Sequence, residues 1–308
     1  MFPGPEPRTR NAEPVVLVTG AAGFVGSHLM DRLSGAVGWS RADVDLLDRD
    51  AVRARIHELR PAVVYHCAGA PHVAHSWSDT TRPLANNVLA THYLLDALRR
   101  TGRACRVLIP GSAYVYRGSD APIPETADIA PANPYALSKL AQEQLGLRSV
   151  EEDGLEVIVT RSFNHTGPRH SPSFAAPAFA RQLARIEAGL EPPVIYVGNL
   201  DARRDVTDVR DTVRAYELLV ARGRPATPYN VCSGVGRSMG DLLEGLRSRA
   251  RVPVSVEVDT TRLRPNDTPS LVGDPSRLHA DTGWTPTIPF DVMLDDLLEY
   301  WRESVRRD

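Results

Sequence analysis

The sequence predicts an α/β fold built on a doubly wound parallel sheet, with a smaller α/β lobe toward the C-terminus. An apolar run at 15–18 leads directly into a turn with glycines at 20, 23 and 26. Short β-branched runs then alternate with helical patterns up to residue 161, the order that produces a parallel sheet covered on both faces. Beyond that point the pattern is irregular and interrupted by prolines, which indicates the second lobe.

Hydrophobic periodicity places the elements in chain order. Strands are predicted at 15–18, 37–40, 62–66, 106–110 and 156–161, and helices from Val25 onward and at 51–59, 81–100 and 134–152. The C-terminal part shows helical stretches near 174–189, 208–222, 240–250 and 291–305, and a strand at 229–232 that should return to the main sheet. We expect a first domain at 14–165, to which 206–249 returns, and a smaller lobe at 166–205 and 250–308. Residues 1–13 are proline-rich and aperiodic, which predicts a disordered tail.

Composition excludes several functional classes for this chain of 308 residues. The net charge of −2 predicts no nucleic-acid partner, and no apolar run is long enough to predict a membrane segment. Three dispersed cysteines show no disulfide framework and no zinc spacing, which favours a reducing cytoplasm. His66, His72 and His75 lie close in sequence, but no carboxylate or cysteine completes a set, so we predict no metal site.

The glycine turn predicts a dinucleotide site. Gly20, Gly23 and Gly26 form G-x-x-G-x-x-G directly after the first strand, and Phe24 and Val25 begin the following helix. Glycine lets the backbone approach a pyrophosphate, and the helix N-terminus supplies amide donors and a positive dipole.

The end of the second strand favours NADP(H). Ser40 and Arg41 stand where an acid would bind the ribose 2′-hydroxyl of NAD, and no acid follows until Asp43. An Arg41 that only faced solvent would leave NAD(H) open as the alternative. Further residues expected at the cofactor are Asp45 and Leu46 at the adenine, Ala68 after the third strand, and Asn87 in the next helix.

These elements resemble the extended short-chain dehydrogenase/reductase family over essentially the whole chain. The matching residues are the glycine turn, Asn87-Val88, Ser112 and Tyr135-x-x-x-Lys139. Motifs at 161–169 and 198–205 make the chain most similar to a nucleotide-sugar branch, the GDP-4-keto-6-deoxy-mannose reductases and GDP-mannose 4,6-dehydratases. The resemblance implies a Rossmann domain, a substrate-binding lobe and a homodimer paired through helices 81–100 and 134–152, with leucines 94, 95, 98, 140, 145 and 147 as candidates.

Ser112, Tyr135 and Lys139 are the expected catalytic residues. Lys139 is the only lysine among 36 basic residues, and it lies one helical turn after Tyr135, on the same face. A nearby ammonium stabilises a phenolate and lowers its pKa, and the Ser112 hydroxyl would bind the substrate oxygen. Tyr135 and Lys139 are also expected to contact the cofactor, with Lys139 at its ribose.

The resemblance also implies a set of substrate-binding residues. Asn164 would contact the sugar or the diphosphate, Asn199 would lie near the nucleotide, and Arg204 and Arg264 would neutralise the diphosphate. His75 and Tyr114 are expected to line the pocket.

Four functions compete at this stage. A 4,6-dehydratase needs carboxylates, but Ala113 and Tyr114 stand in the two positions after Ser112 where similar dehydratases carry an acid. An NAD-dependent 4-epimerase remains open, and a non-catalytic NADP-binding sensor would not need the Ser-Tyr-Lys set. We therefore expect a reductase acting on a nucleotide-linked, preferably GDP-linked, 4-keto-6-deoxy sugar. Tyr114 departs from similar reductases as well, which leaves the product stereochemistry open.

Overall fold

The computed structural model of the chain describes residues 14–71, 73, 76–262 and 268–307. Within them, six parallel strands form the main sheet, numbered here in chain order: β1 (Val16–Thr19), β2 (Val37–Trp39), β3 (Val63–His66), β4 (Arg106–Pro110), β5 (Glu156–Ser162) and β9 (Pro228–Val231). Their spatial order is β2-β1-β3-β4-β5-β9. The last strand returns from the C-terminal part and pairs with β5, as the run at 229–232 predicted.

Helices cover both faces of this sheet. The helices, again in chain order, are α1 (Phe24–Arg32), α2 (Arg49–Leu59), α3 (Thr81–Pro83), α4 (Ala90–Arg100), α5 (Pro134–Asp153), α6 (Ala175–Glu187), α7 (Val209–Arg222), α8 (Met239–Arg247), α9 (Ser276–Thr282) and α10 (Phe290–Arg307). Leu17 packs with residues of α2 and α4, while its neighbour Val18 packs with residues of α1 and α7 on the opposite face. This alternation along a buried strand confirms the doubly wound sheet.

The long helix predicted at 81–100 contains a π-helical stretch. Helix α3 continues into π-helix at Leu84–Leu89 and then into α4. The wider turn holds the side chain of Asn87 fully buried, where it bonds to the loop after β3. Single π-turns of this kind occur often at functional sites.

Three leucines predicted to lie at a dimer interface are buried within the subunit instead. Leu94, Leu95 and Leu98 lie in the core on the α2–α4 face of the sheet, so the prediction was wrong for them. The amphipathic pattern of α4 reflects packing on its own sheet. Leu140, Leu145 and Leu147 are partly buried and also pack against the core.

The C-terminal lobe contains short strands that the sequence analysis missed. They are β6 (Asn164–Thr166), β7 (Val194–Val197), β8 (Arg203–Asp208), β10 (Gly236–Ser238), β11 (Ser255–Val258) and β12 (Ser270–Leu271). Strand β8 pairs with β6, β10 and β12, and β7 pairs with β11. A separate core of α6, α8 and α10 supports them. None of the described helices has the length and apolar character needed to cross a membrane.

Candidate active site

Ser112 and Tyr135 meet beyond the carboxyl end of β4. Ser112 caps a short 3-10 turn, where its Oγ accepts a hydrogen bond from the Tyr114 amide at 3.2 Å. Asn133 caps α5 and Pro134 starts it, which fixes Tyr135 in the first turn of that helix. Burial raises the pKa of Tyr135 to about 12, and a hydrogen bond with Ser112 opposes part of that rise.

Lys139 lies half-buried one turn further along α5. Its Nζ donates to the carbonyl oxygen of Pro110 at 2.7 Å and to Oε1 of Gln142 at 2.8 Å. Burial lowers the pKa of Lys139 to about 8, partly opposed by the Cys67 thiol. In the protein alone the phenol pKa is therefore raised rather than lowered, contrary to the expectation from sequence. The reason is that burial dominates at Tyr135 while Lys139 directs two of its protons elsewhere.

The glycine turn has the geometry required to hold a pyrophosphate. Gly20 has φ +69°, and a Cβ on it would lie 2.7 Å from the backbone nitrogen of Ala68. Helix α1 begins at Phe24 with Gly23 as its cap, so no capping side chain covers the first-turn amides of Phe24 and Val25. A Cβ on Gly26 would collide with the carbonyl oxygen of Gly20. These uncovered donors and this close packing fit the diphosphate of a dinucleotide.

A cavity of about 290 Å³ lies beside this turn at the ends of β2 and β3. Six of the residues predicted from sequence to bind the cofactor line it: Gly20, Ser40, Arg41, Asp45, Leu46 and Ala68. Asn87 lies behind the cavity wall, where its amide bonds to Ala70 and to the Ser138 hydroxyl, and so ties the loop after β3 to α5.

Arg82 and Asn86 also line the cavity, and the sequence analysis missed both. Arg41 contacts Asn86, since its Nη2 donates to Oδ1 of Asn86 at 3.1 Å. The only available signal was that Arg82 and Asn86 lie one turn apart, just before Asn87 in the same helical segment.

Asp43 lies at the end of β2 in space, although it is several residues beyond it in sequence. Its carboxylate accepts hydrogen bonds from the amide of Ser40 at 2.8 Å and from its hydroxyl at 2.6 Å. Those two bonds lower the pKa of Asp43. The position that the sequence analysis treated as lacking an acid therefore has a carboxylate close by.

Aromatic side chains pack around Tyr135 and around the start of α1. Tyr114 packs edge to face against Tyr135, and Phe24 stacks on the imidazoles of His165 and His170. His165, beside Asn164, was expected from the sequence to line the pocket, whereas His170 was not predicted although its place shortly after β6 was a usable signal. Among the described residues no group of His, Cys, Asp and Glu could hold a metal ion.

The predicted substrate residues lie on two paired strands and the loop before them. Asn164 begins β6, and its partner in β8 is Val206. Arg204 lies two residues earlier in β8, buried, with its Nη1 bonded to the carbonyl oxygens of Arg203 and Thr268. Asn199 caps the preceding loop through a bond from the Asp201 amide. His75 and Arg264 lie outside the described residues.

Comparison with known proteins decides the family. A sequence model of the GDP-mannose 4,6-dehydratase family matches residues 39–297. The chain belongs to this family. It is 37% identical to GDP-6-deoxy-D-mannose reductase of Pseudomonas aeruginosa over 95% of this chain and 99% of that protein. It is 30% identical to GDP-mannose 4,6 dehydratase 2 of Arabidopsis thaliana, over 86% of this chain and 72% of that protein.

Solved structures give the same result for the fold. The structure of RMD from Pseudomonas aeruginosa complexed with NADPH matches with a TM-score of 0.87 and 35% identity, covering 94% of this chain and 99% of that one. UDP-glucose 4-epimerase of Thermus thermophilus, in complex with NAD, matches with a TM-score of 0.82 and 28% identity over the same shares. The predicted extended short-chain dehydrogenase/reductase fold is thereby confirmed, and the family includes reductases, dehydratases and epimerases.

Proposed function

We propose that the chain reduces the 4-keto group of a GDP-linked 4-keto-6-deoxy sugar to a hydroxyl, with NADPH as the reductant. The observation that carries this choice is the pairing of Tyr114 with Tyr135. A phenol and the Ala113 methyl group occupy the two positions after Ser112. Elimination of water needs a carboxylate base near the sugar, whereas reduction needs only a proton donor and a hydride. The similarity to a GDP-6-deoxy-D-mannose reductase supports the same choice.

The residues of the chain can perform the proton transfer. Bound NADPH would supply the hydride to the keto carbon. Ser112 and Tyr135, whose side chains lie close together, would together bind the keto oxygen, and Tyr135 would then donate its proton to that oxygen. A Tyr135 pKa of about 12 keeps the phenol protonated at neutral pH, which suits a proton donor. Lys139 would stabilise the phenolate that remains.

The binding roles follow from charge and position. The α1 amides and the glycine turn would hold the cofactor diphosphate, and the cavity at Arg41 and Asp45 would hold its adenosine. Arg204 and Asn164, on neighbouring strands, would hold the diphosphate and sugar of the substrate. Asn199, Tyr114, His75 and Arg264 complete the proposed substrate set.

A 4-epimerase is the second candidate, because one observation favours it. Asp43 places a carboxylate on Ser40 at the end of β2, and an acid there is typical of NAD sites. The epimerase of Thermus thermophilus, whose structure contains NAD, is also similar. An epimerase returns its hydride, so it changes the sugar without net consumption of reduced cofactor.

One incubation distinguishes the two. The purified chain is mixed with GDP-4-keto-6-deoxy-mannose and either NADPH or NADH, the loss of nicotinamide absorbance is followed, and the sugar product is identified. We expect stoichiometric oxidation of NADPH and a 6-deoxy sugar bearing a 4-hydroxyl. An altered sugar without consumption of the added NADPH or NADH would favour the epimerase instead.

We further propose that the enzyme works in the cytoplasm as a homodimer. Leu84, Leu89 and Leu137 are exposed on the α3–α4 segment and the start of α5, the helices expected to pair. Exposed leucines on neighbouring helices fit a subunit interface. Light scattering at working concentration should give a dimer mass, and a monomer mass would remove this part of the proposal.

A further inference from the structure

A buried chain of hydrogen bonds connects Lys139 to the first strand of the sheet. Lys139 Nζ donates to Oε1 of Gln142, and Nε2 of Gln142 donates to the Thr91 hydroxyl, each at 2.8 Å. His66 joins Thr91 through Nε2 and Thr19 through Nδ1, again at 2.8 Å each. Gln142, Thr91, His66 and Thr19 are at most 1% exposed, so water does not compete for the bonds among these four residues.

The direction of each bond is fixed by Thr91. Its hydroxyl proton goes to the backbone carbonyl of Asn87 at 2.6 Å. The Thr91 oxygen can therefore only accept, so Gln142 must present its amide nitrogen to Thr91 and its oxygen to Lys139. His66 must in turn be protonated on Nε2 and accept from Thr19 on Nδ1. This requires a neutral imidazole, in agreement with a His66 pKa lowered to about 3 by burial and by Lys139.

We propose that Gln142 is a positioning residue for Lys139. It fixes the ammonium from one side while the Pro110 carbonyl fixes it from another, which leaves the third N–H donor for the cofactor ribose and the Tyr135 phenolate. The Thr91–His66–Thr19 chain locks the amide orientation, so Lys139 is held relative to the strand that carries the glycine turn. This inference rests on the proposed function for the role of Lys139 in turnover, but the positioning itself is measurable without it.

Among Lys139 and four titratable side chains around it, only Lys139 has a pKa between 6 and 10. His66 and Cys67 lie on β3 and its end, with pKa values of about 3 and about 12. Tyr135 on the same helix has a pKa of about 12, and burial raises the pKa of Tyr216 on α7 still further. Between pH 6 and 10 the charge of Lys139 therefore changes while the charges of these four groups stay constant.

A single lysine makes the test direct. Protein labelled with carbon-13 at the lysine Cε gives one side-chain signal, whose shift follows the protonation of Lys139. We compare wild type, Gln142→Met and Gln142→Glu, with Gln144→Met as the control, since Gln144 is exposed on the same helix. The loss of one charge-assisted bond should lower the Lys139 pKa by about one unit in Gln142→Met, and a carboxylate should raise it in Gln142→Glu. Gln144→Met should titrate as wild type.

Turnover provides the second readout. Gln142→Met should lower kcat about tenfold with little change in the KM for the sugar, because the ammonium is misplaced rather than the substrate. An unchanged Lys139 titration in both Gln142 variants overturns the positioning role. If circular dichroism shows that Gln142→Met does not fold, the Lys139 pKa in Gln142→Glu decides alone. If that pKa is not raised, the positioning role is overturned. If the Gln142 variants shift the Lys139 pKa as expected but the wild-type chain has no reductase activity, the proposed function is overturned and the positioning role stands.

Discussion

The rings of Tyr114 and Tyr135 lie edge to face, with centroids 6.4 Å apart and planes at 77°. Tyr114 follows Ser112 by two residues in a 3-10 turn, so it lies beside both proposed catalytic residues, Ser112 and Tyr135. In the proposed reaction, an acid at this position would stand beside the sugar. The phenol instead closes that side with an uncharged group, and this is the basis for preferring reduction to dehydration.

Removal of the Tyr135 hydroxyl should stop the reaction. Tyr135→Phe deletes the proton donor while keeping the ring, so kcat should fall by about 10³-fold, within the range found for general acids. NADPH binding, measured by fluorescence titration, should remain within about threefold of wild type because the glycine turn is untouched. Tyr114→Phe is the matched control and should keep most of the activity. Comparable losses in both variants would mean that Tyr135 is not the proton donor.

Lys139→Arg should be inactive even though arginine occupies every other basic position in the chain. The ammonium lies between the Pro110 carbonyl and Gln142, to which it donates at 2.7 and 2.8 Å. A planar guanidinium cannot take the same position and keep both bonds. We expect kcat to fall at least about 10²-fold. Turnover near the wild-type level would show that Lys139 is an ordinary buried lysine.

Substitutions of Asp43 and of Arg41 should change the preference for NADPH over NADH in opposite directions. Asp43→Asn keeps an acceptor for Ser40 but removes a negative charge that would repel a 2′-phosphate. The ratio of kcat/KM for NADPH over NADH should rise about fivefold, because the Asp43 carboxylate would no longer repel the 2′-phosphate of NADPH. Arg41→Ala should lower the same ratio by about as much. A ratio unaffected by either change would place the 2′-phosphate elsewhere in the cavity, with Arg82 as the next candidate.

A buried ion pair should stabilise the helix that carries Tyr135 and Lys139. Arg161 on β5 binds Glu143 on α5 through two hydrogen bonds, and the side chains are 7% and 1% exposed. Glu143→Gln leaves the guanidinium buried without its counter-charge. The free energy of unfolding in urea should fall by about 3 kcal/mol. Glu58→Gln, in the exposed pair with Arg55, should change it by less than about 0.5 kcal/mol.

The sequence predicted those parts of the site that depend on local pattern. The glycine turn, the strand ends and the Tyr135–Lys139 spacing all lie within a few residues of a recognisable element. It could not predict the fold-back of Asp43, because that depends on a turn whose residues carry no glycine or proline signal. It could not predict the Gln142–Thr91 bond either, since the two residues are 51 positions apart. The strands of the C-terminal lobe were missed because they are short and partly polar, so their pattern has no clear period.

The stability of the apo protein should show the cost of burying Lys139. Burial lowers its pKa from the ordinary value of 10.5 to about 8, with Cys67 partly opposing. Between these two values the unfolded chain binds more protons than the folded one, so stability rises with pH across that window. Relative to Lys139→Met, the free energy of unfolding of wild type should increase by about 3 kcal/mol from pH 8 to 10.5. Well below pH 8, Lys139 is protonated in both the folded and the unfolded chain. The difference in the free energy of unfolding between wild type and Lys139→Met should therefore not vary with pH there. A difference that stays constant across the whole range would mean that the lysine keeps its ordinary pKa in the folded protein.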